Sequence, residues 1–190
     1  SYPILLSATG LLVQGENSNH EVIDVFRFIT KDAWIGGQVR QFKMVEHPGA
    51  AATLVIKDGQ VLMVEQYRPA ANRNMLEIPA GSMDGDETPE QCALRELEEE
   101  TGYRVEKLHP MGYLYPTPGY TNEVLHLFLG EGLIAGEPHP DEGEDIKVRW
   151  IPLKDAERLI DEGEIHDAKT IIALFKYIRM MREAERKRSS

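Results

Sequence analysis

The densest chemistry in the chain is the run Arg95-Glu96-Leu97-Glu98-Glu99-Glu100. On a helix, Glu96, Glu99 and Glu100 stand at i, i+3 and i+4 and share one face, while Glu98 points elsewhere. Three ionised carboxylates that close repel one another. One explanation is a solvated acidic face, which charge runs commonly are. The other is a hard divalent cation: Mg²⁺ takes oxygen ligands and keeps waters that substrate phosphates can replace. The cluster also lies toward the helix C-terminus, where the macrodipole disfavours negative charge.

The helix that must carry these groups is well marked. Thr88 can cap it, Pro89 suits its first position, Gln91 completes a capping box, and Gly102 can end it. Ahead of it, 50–56 and 61–66 read as strands joined at Asp58-Gly59, and 75–79 as a short extended piece. Behind it, strands are expected at 107–115, 124–130 and 146–151, then helices at 154–161 and 167–186. In the last of these Ile171, Leu174, Phe175, Ile178 and Met181 recur at helical spacing. Residues 1–47 read as a β extension, with runs at 4–13, 22–30 and 37–45, too small for a core of its own. His47-Pro48-Gly49 marks the boundary with a main domain over 48–190. The order of elements implies an α/β fold, a mixed sheet with helices packed on it.

Composition narrows the field. A formal net charge of −11 over 190 residues argues against a nucleic-acid-binding surface. No apolar run approaches a membrane span, and the N-terminus lacks a signal-peptide pattern. The single cysteine, Cys92, cannot form an intramolecular disulfide, which fits a cytoplasmic setting; inside a helix it reads as a small packed residue. The six histidines are scattered, with no zinc-ligand spacing.

Gly81, Glu87, Arg95-Glu96, Leu97, Glu99-Glu100, Gly102 and Tyr103 together match the Nudix signature G-x5-E-x7-R-E-U-x-E-E-x-G-U, where U is apolar. Every fixed position is met; Tyr103 stands where an aliphatic residue is usual. The chain therefore resembles the Nudix hydrolases. That resemblance implies an α/β/α sandwich around a mixed sheet, and Mg²⁺-dependent cleavage of a diphosphate linkage, with Mn²⁺ as a possible substitute. It implies Glu96, Glu99 and Glu100 as metal ligands, joined by the carbonyl of Ala80. It implies Glu87 and Arg95 as a structural pair holding the loop to the helix, and Gly81 and Gly102 as positions needing backbone freedom. Fold and box fix a reaction class rather than a substrate.

Outside the box, 64–69 (Val-Glu-Gln-Tyr-Arg-Pro), 76–81 (Leu-Glu-Ile-Pro-Ala-Gly), 115–121 and 164–170 are similar to the ADP-ribose pyrophosphatase branch, and relatives acting on GDP-mannose share several of these motifs. The similarity spans roughly 38–178. It implies a nucleoside diphosphate sugar as substrate, Arg68 as a phosphate ligand, Glu77 as a second group at the cleft, and Pro118 bordering the terminal sugar. The acidic loop at 141–145 implies a catalytic base, Glu142 first and Glu144 second, with Glu100 also in the catalytic set. The N-terminal extension implies a homodimer in which Phe28, Trp34 and Arg40 are candidates to contact the base. Competing expectations are GDP-mannose, dinucleoside polyphosphates or damaged nucleotides as substrate, and a non-catalytic ADP-ribose sensor, which should have lost metal carboxylates.

Overall fold

A computed structural model describes residues 26–137 and 145–189, and the backbone of 6–7 and 10–11. In chain order the elements are β1 (Leu6–Ser7), β2 (Gly10–Leu11), β3 (Arg27–Ile35), β4 (Gln38–Glu46), β5 (Ala50–Lys57), β6 (Gln60–Arg68), β7 (Arg73–Glu77), β8 (Ala80–Ser82), α1 (Pro89–Thr101), β9 (Tyr103–Leu114), β10 (Leu125–Ala135) and β11 (Lys147–Pro152). A 3₁₀ turn (Leu153–Asp155), α2 (Ala156–Asp161) and α3 (Ala168–Arg188) follow. The chain forms two compact units, Ser1–Pro48 with Thr117–Glu123, and Gly49–Pro116 with Val124–Ser190.

The larger unit is built on one mixed sheet in the order β11-β6-β5-β10-β9, with β7 beside β6 and β8 beside β5. β10 runs parallel to β5 and the other pairings are antiparallel. β5 is buried on both faces, and the two-residue period of a strand divides its side chains between two helices. Ala50, Ala52 and Leu54 pack with Ala173 and Leu174 of α3. Ala51 packs with Cys92 and Ala93, and Val55 with Leu97, all of α1. Thr53 faces α1 too and donates its hydroxyl to the Ala93 carbonyl at 3.2 Å. The result is helix, sheet and helix in three layers, with α1 seated along β5 by its Cys92–Leu97 face.

Three strands depart most from expectation, and β7 (Arg73–Glu77) lies two residues earlier than the expected 75–79. β9 begins at Tyr103, directly after the left-handed Gly102 (φ 73°), rather than at 107. β10 runs on to Ala135 rather than 130, so that Ala135 pairs with Tyr103. β3 runs to Ile35 rather than 30. The stretch added to β9, 103–106, alternates polar with apolar residues, and its polar half reads as loop until a partner strand is known.

In the smaller unit β3 and β4 form a nine-pair antiparallel ribbon, from Arg27↔Glu46 to Ile35↔Gln38. Gly36 (φ 62°) and Gly37 (φ 79°) make its turn, where two consecutive left-handed residues match the strand twist. Residues 117–123 dock on its far end: Val45 donates to the Tyr120 carbonyl at 2.8 Å and His47 to Asn122 Oδ1 at 2.8 Å. The ribbon carries little core. Phe28 and Trp34 are each 73% exposed. No helix among the described residues is long and apolar enough to cross a membrane.

Candidate active site

α1 starts where its capping box requires. The Thr88 amide donates to Gln91 Oε1 at 2.8 Å and the Gln91 amide donates back to Thr88 Oγ1 at 3.3 Å. From this start, Glu96 and Glu100 come to lie against β8, and contacts at its three consecutive residues stitch that strand to the helix. The Ala80 amide donates to Glu100 Oε2 at 3.0 Å. Cys92 Sγ donates to the Gly81 carbonyl at 3.4 Å, and that carbonyl's own Cα has no room for a side chain, because a Cβ at Gly81 would overlap the Glu96 carboxylate. Arg95 donates to the Ser82 carbonyl at 3.0 Å. What Gly81 requires is this close approach, whereas Gly102 is the position that requires a left-handed backbone.

Arg95 is the hub of the arrangement, and every N–H of its guanidinium is used. Nε and Nη2 donate to the two oxygens of Glu87 at 2.9 and 3.0 Å, and Nη2 also reaches Ser82. Nη1 donates to Glu96 Oε1 at 2.7 Å and to Glu99 Oε2 at 2.9 Å. The fork on Glu87 ties the loop to the helix and holds that carboxyl below its usual pKa. Glu98, by contrast, turns away to Arg104. Burial, and then the charges of Glu96 and Glu87, push the Cys92 thiol up to about 12, so it stays a neutral packing group.

Glu96 and Glu99 each give Arg95 one oxygen, and Glu100 gives one to Ala80. Among the described residues no three such side chains already converge as a closed cage. Mg²⁺ does not call for one: it is usually held by one or two carboxylates with water and substrate phosphate completing the shell. The donor set, hard carboxylate oxygens in negative surplus beside an exposed loop, fits such an ion.

A second ionic cluster lies on the β6–β7 hairpin. Arg68 donates Nε and Nη2 to the two oxygens of Glu77 at 2.7 and 2.8 Å. Glu77 is only 2% exposed and also receives Lys169 Nζ from the start of α3. Lys169 pairs in turn with Asp167 at 3.1 Å, and Asp167 caps α3 by accepting from the Thr170 amide at 2.9 Å. The Thr170 hydroxyl closes the link by accepting from the Ile78 amide at 2.9 Å. Burial alone would raise the Glu77 pKa, but the Arg68 hydrogen bonds and the Lys169 charge outweigh it and bring it down to about 2. Glu77 hydrogen bonding keeps Arg68 firmly protonated, and Glu100 is close enough to add to the effect. Lys169 and Asp167 lie in the 164–170 motif, but nothing in the sequence assigned them a role at the site; a pairing across 92 residues has no local signature.

The remaining expected residues fall elsewhere. Pro118 is exposed in the 117–123 loop of the smaller unit. Phe28 and Trp34 stand at alternate positions on one face of the β3–β4 ribbon, and Arg40, opposite Ala33, is on the other. Glu142 and Glu144 lie outside the described residues.

The NUDIX domain model matches residues 46–174. The chain belongs to the NUDIX family. It is 43% identical over 141 residues to the ADP-ribose pyrophosphatase of Bacillus subtilis (strain 168), covering 73% of this chain and 76% of the relative. It is 37% identical over 154 residues to the methanol dehydrogenase activator of Bacillus methanolicus (80% and 83%) and 35% identical over 157 residues to the GDP-mannose pyrophosphatase of Yersinia pestis (strain Pestoides F; 73% and 76%). A solved ADP compounds hydrolase superposes with a TM-score of 0.73 at 20% identity, over 95% of this chain and 97% of its own, so the fold is shared. The protein is a Nudix pyrophosphohydrolase, of a family that generally uses a divalent metal.

Proposed function

We propose that this Nudix pyrophosphohydrolase cleaves the diphosphate linkage of ADP-ribose, giving AMP and ribose 5-phosphate, with Mg²⁺ as its cation and Mn²⁺ as a substitute. The observation that carries the reading is a juxtaposition. A face of surplus carboxylates on α1 stands beside a cationic group on β6, close enough that Glu100 contributes to the field on Arg68. A metal diphosphate needs both signs at once. Similarity to a relative named for ADP-ribose, at 43% identity, favours that sugar. The relative named for GDP-mannose, at 35%, makes GDP-mannose the second reading.

In this reading Glu96, Glu99, Glu100 and the Ala80 carbonyl hold the cation, which when bound neutralises diphosphate charge and acidifies water. Glu87 and Arg95 fix the loop and helix that carry those groups. Arg68 binds a phosphoryl oxygen, and Glu77 serves substrate binding by holding the guanidinium in place. Glu142, with Glu144 as the alternative, takes the proton of the attacking water. Pro118 borders the terminal sugar. The 1–47 extension forms a homodimer with a second copy, which would cover the exposed aromatic side of the ribbon; an isolated two-stranded ribbon is marginal on its own. Phe28 and Trp34 then contact the base on that side, and Arg40, on the opposite face of the ribbon, is a separate candidate contact. A cytoplasmic setting suits the single cysteine. Retention of all three α1 carboxylates weighs against a non-catalytic sensor.

Hydrolysis of ADP-ribose and GDP-mannose with Mg²⁺ in ¹⁸O-labelled water tests this directly. AMP and ribose 5-phosphate should form, with the label in one of them and the higher kcat/KM for ADP-ribose. Turnover of neither sugar would sink the proposal.

A further inference from the structure

The β6–β7 hairpin places two arginines directly opposite each other. Arg68 and Arg73 are register partners, so their side chains leave the same face of the sheet. The loop between them is tied down. Ala71 donates to the Arg68 carbonyl at 3.0 Å and Asn72 to the Pro69 carbonyl at 3.1 Å. The Tyr67 hydroxyl donates to Asn72 Oδ1 at 2.6 Å, with Asn72 left-handed at φ 52°. The register that opposes the two cations is therefore well fixed, and like charges opposed across a ladder destabilise it.

Only one of the two charges is answered. Arg68 reaches back along the hairpin to Glu77, whose own register partner is Val64, four residues inward, or roughly 13 Å along the strand. Within that network the charges balance, Arg68 and Lys169 against Glu77 and Asp167. Arg73 is exposed, and among the described residues no ion pair or side-chain hydrogen bond engages it, in a chain with 32 acidic residues to 21 basic ones. From the carboxylates outward, the order on this face is Glu77, the Arg68 guanidinium, then Arg73. A ligand whose phosphoryl group meets Arg68 and which carries a second one outward would meet Arg73 next.

We propose that Arg73 is a substrate-binding residue that takes the outer phosphoryl group of the diphosphate whose inner group lies at Arg68. This rests on the reading of Arg68 as a phosphate ligand. A guanidinium that no side chain engages among the described residues suits bidentate contact with a phosphoryl group. The dianionic bridge also relieves the opposition of the two arginines, so binding and hairpin stability are coupled. An exposed arginine serving only solubility would do neither.

The test is Arg73→Gln, Arg73→Lys and Arg68→Gln, each assayed with ADP-ribose and Mg²⁺, alongside calorimetric binding of inorganic pyrophosphate with Mg²⁺, which needs no turnover. Arg73→Gln should raise KM and the pyrophosphate Kd about tenfold, leave kcat within about twofold, and leave the ligand-free Tm no lower, since it removes the opposition of the two arginines. Arg73→Lys should recover part of the loss. If Arg68→Gln weakens pyrophosphate but Arg73→Gln does not, the assignment of Arg73 is overturned. If Arg68→Gln itself changes neither KM nor Kd, the reading of Arg68 has failed, and that outcome is recognised on its own.

Discussion

Arg95 and Arg68 look alike on paper, each a guanidinium forked onto a glutamate, yet they are set in opposite electrostatic frames. Arg95 is surrounded by three hydrogen-bonded carboxylates, Glu87, Glu96 and Glu99, so its neighbourhood keeps a surplus of negative charge. Arg68 shares Glu77 with Lys169, and Asp167 completes a balanced set of four. The first arrangement, with its surplus of negative charge, favours a cation. In the second, the four charges sum to zero, so no surplus of carboxylate repels an anion and the half-exposed end of Arg68 can meet one. A fork onto glutamate thus orders an arginine in either case, and the count of surrounding charges decides whether the place attracts metal or phosphate.

The sharpest way to break this contrast is to remove one negative charge from the metal side without changing shape. Glu100→Gln keeps an oxygen for the Ala80 amide and so keeps the fold. It should lower kcat by about a thousandfold, or ~4 kcal/mol of barrier, with Tm nearly unchanged. Rapid turnover by the variant would show that the α1 carboxylates are a solvated face after all.

On the phosphate side the equivalent change is Glu77→Gln, and there the larger effect should be on stability. Two cations would be left around a buried amide, and breaking such a network by removing one partner costs about 3–5 kcal/mol. The pH dependence carries the same information. Glu77 titrates near 2 in the folded protein against 4.5 for a free glutamate. A depressed carboxylate pKa stabilises the folded state above the unfolded value, and that contribution, about 3 kcal/mol, is lost as pH falls from about 4.5 toward 2. Urea unfolding over that window should show a steep acid limb in the wild type and a shallower one in Glu77→Gln. Equal slopes would mean that Glu77 is not held as an ion.

These two places were not equally legible in the sequence. α1 was readable from its cap to its closing glycine because each determinant is local: Thr88, Pro89, Gln91 and Gly102 lie within the helix or at its ends. The Glu87–Arg95 pair spans eight residues, and the box spacing exposes it. Arg68 and Glu77 were both visible, but their pairing depends on the β6–β7 register. Lys169 joins Glu77 across 92 residues of chain, a contact only the tertiary fold makes. β8 is three residues long, too short for any periodicity to show, although it is the strand that receives the carboxylates of α1. The polar alternation at the start of β9 hid four residues of strand for a related reason: half of a solvent-facing strand reads as loop until its partner is known.

The smallest expected effect tests position against charge. Glu98 belongs to the same acidic run as Glu99, so a model in which net negative charge alone attracts the cation treats the two as equal. Helical geometry does not. Glu98 is turned a hundred degrees from its neighbour, and its carboxylate is taken by Arg104 at 2.5 Å on an exposed surface. Exposed pairs of this kind contribute little to stability. Glu98→Gln should therefore leave kcat, KM and Tm within experimental error of the wild type, whereas Glu99→Gln takes a negative charge from the face proposed to hold the metal, leaves one oxygen where the carboxylate offered two, and should lower kcat strongly. Comparable losses in the two variants would mean that the field of the acidic run drives catalysis. A loss confined to Glu99 would place the chemistry on the face that Arg95 organises.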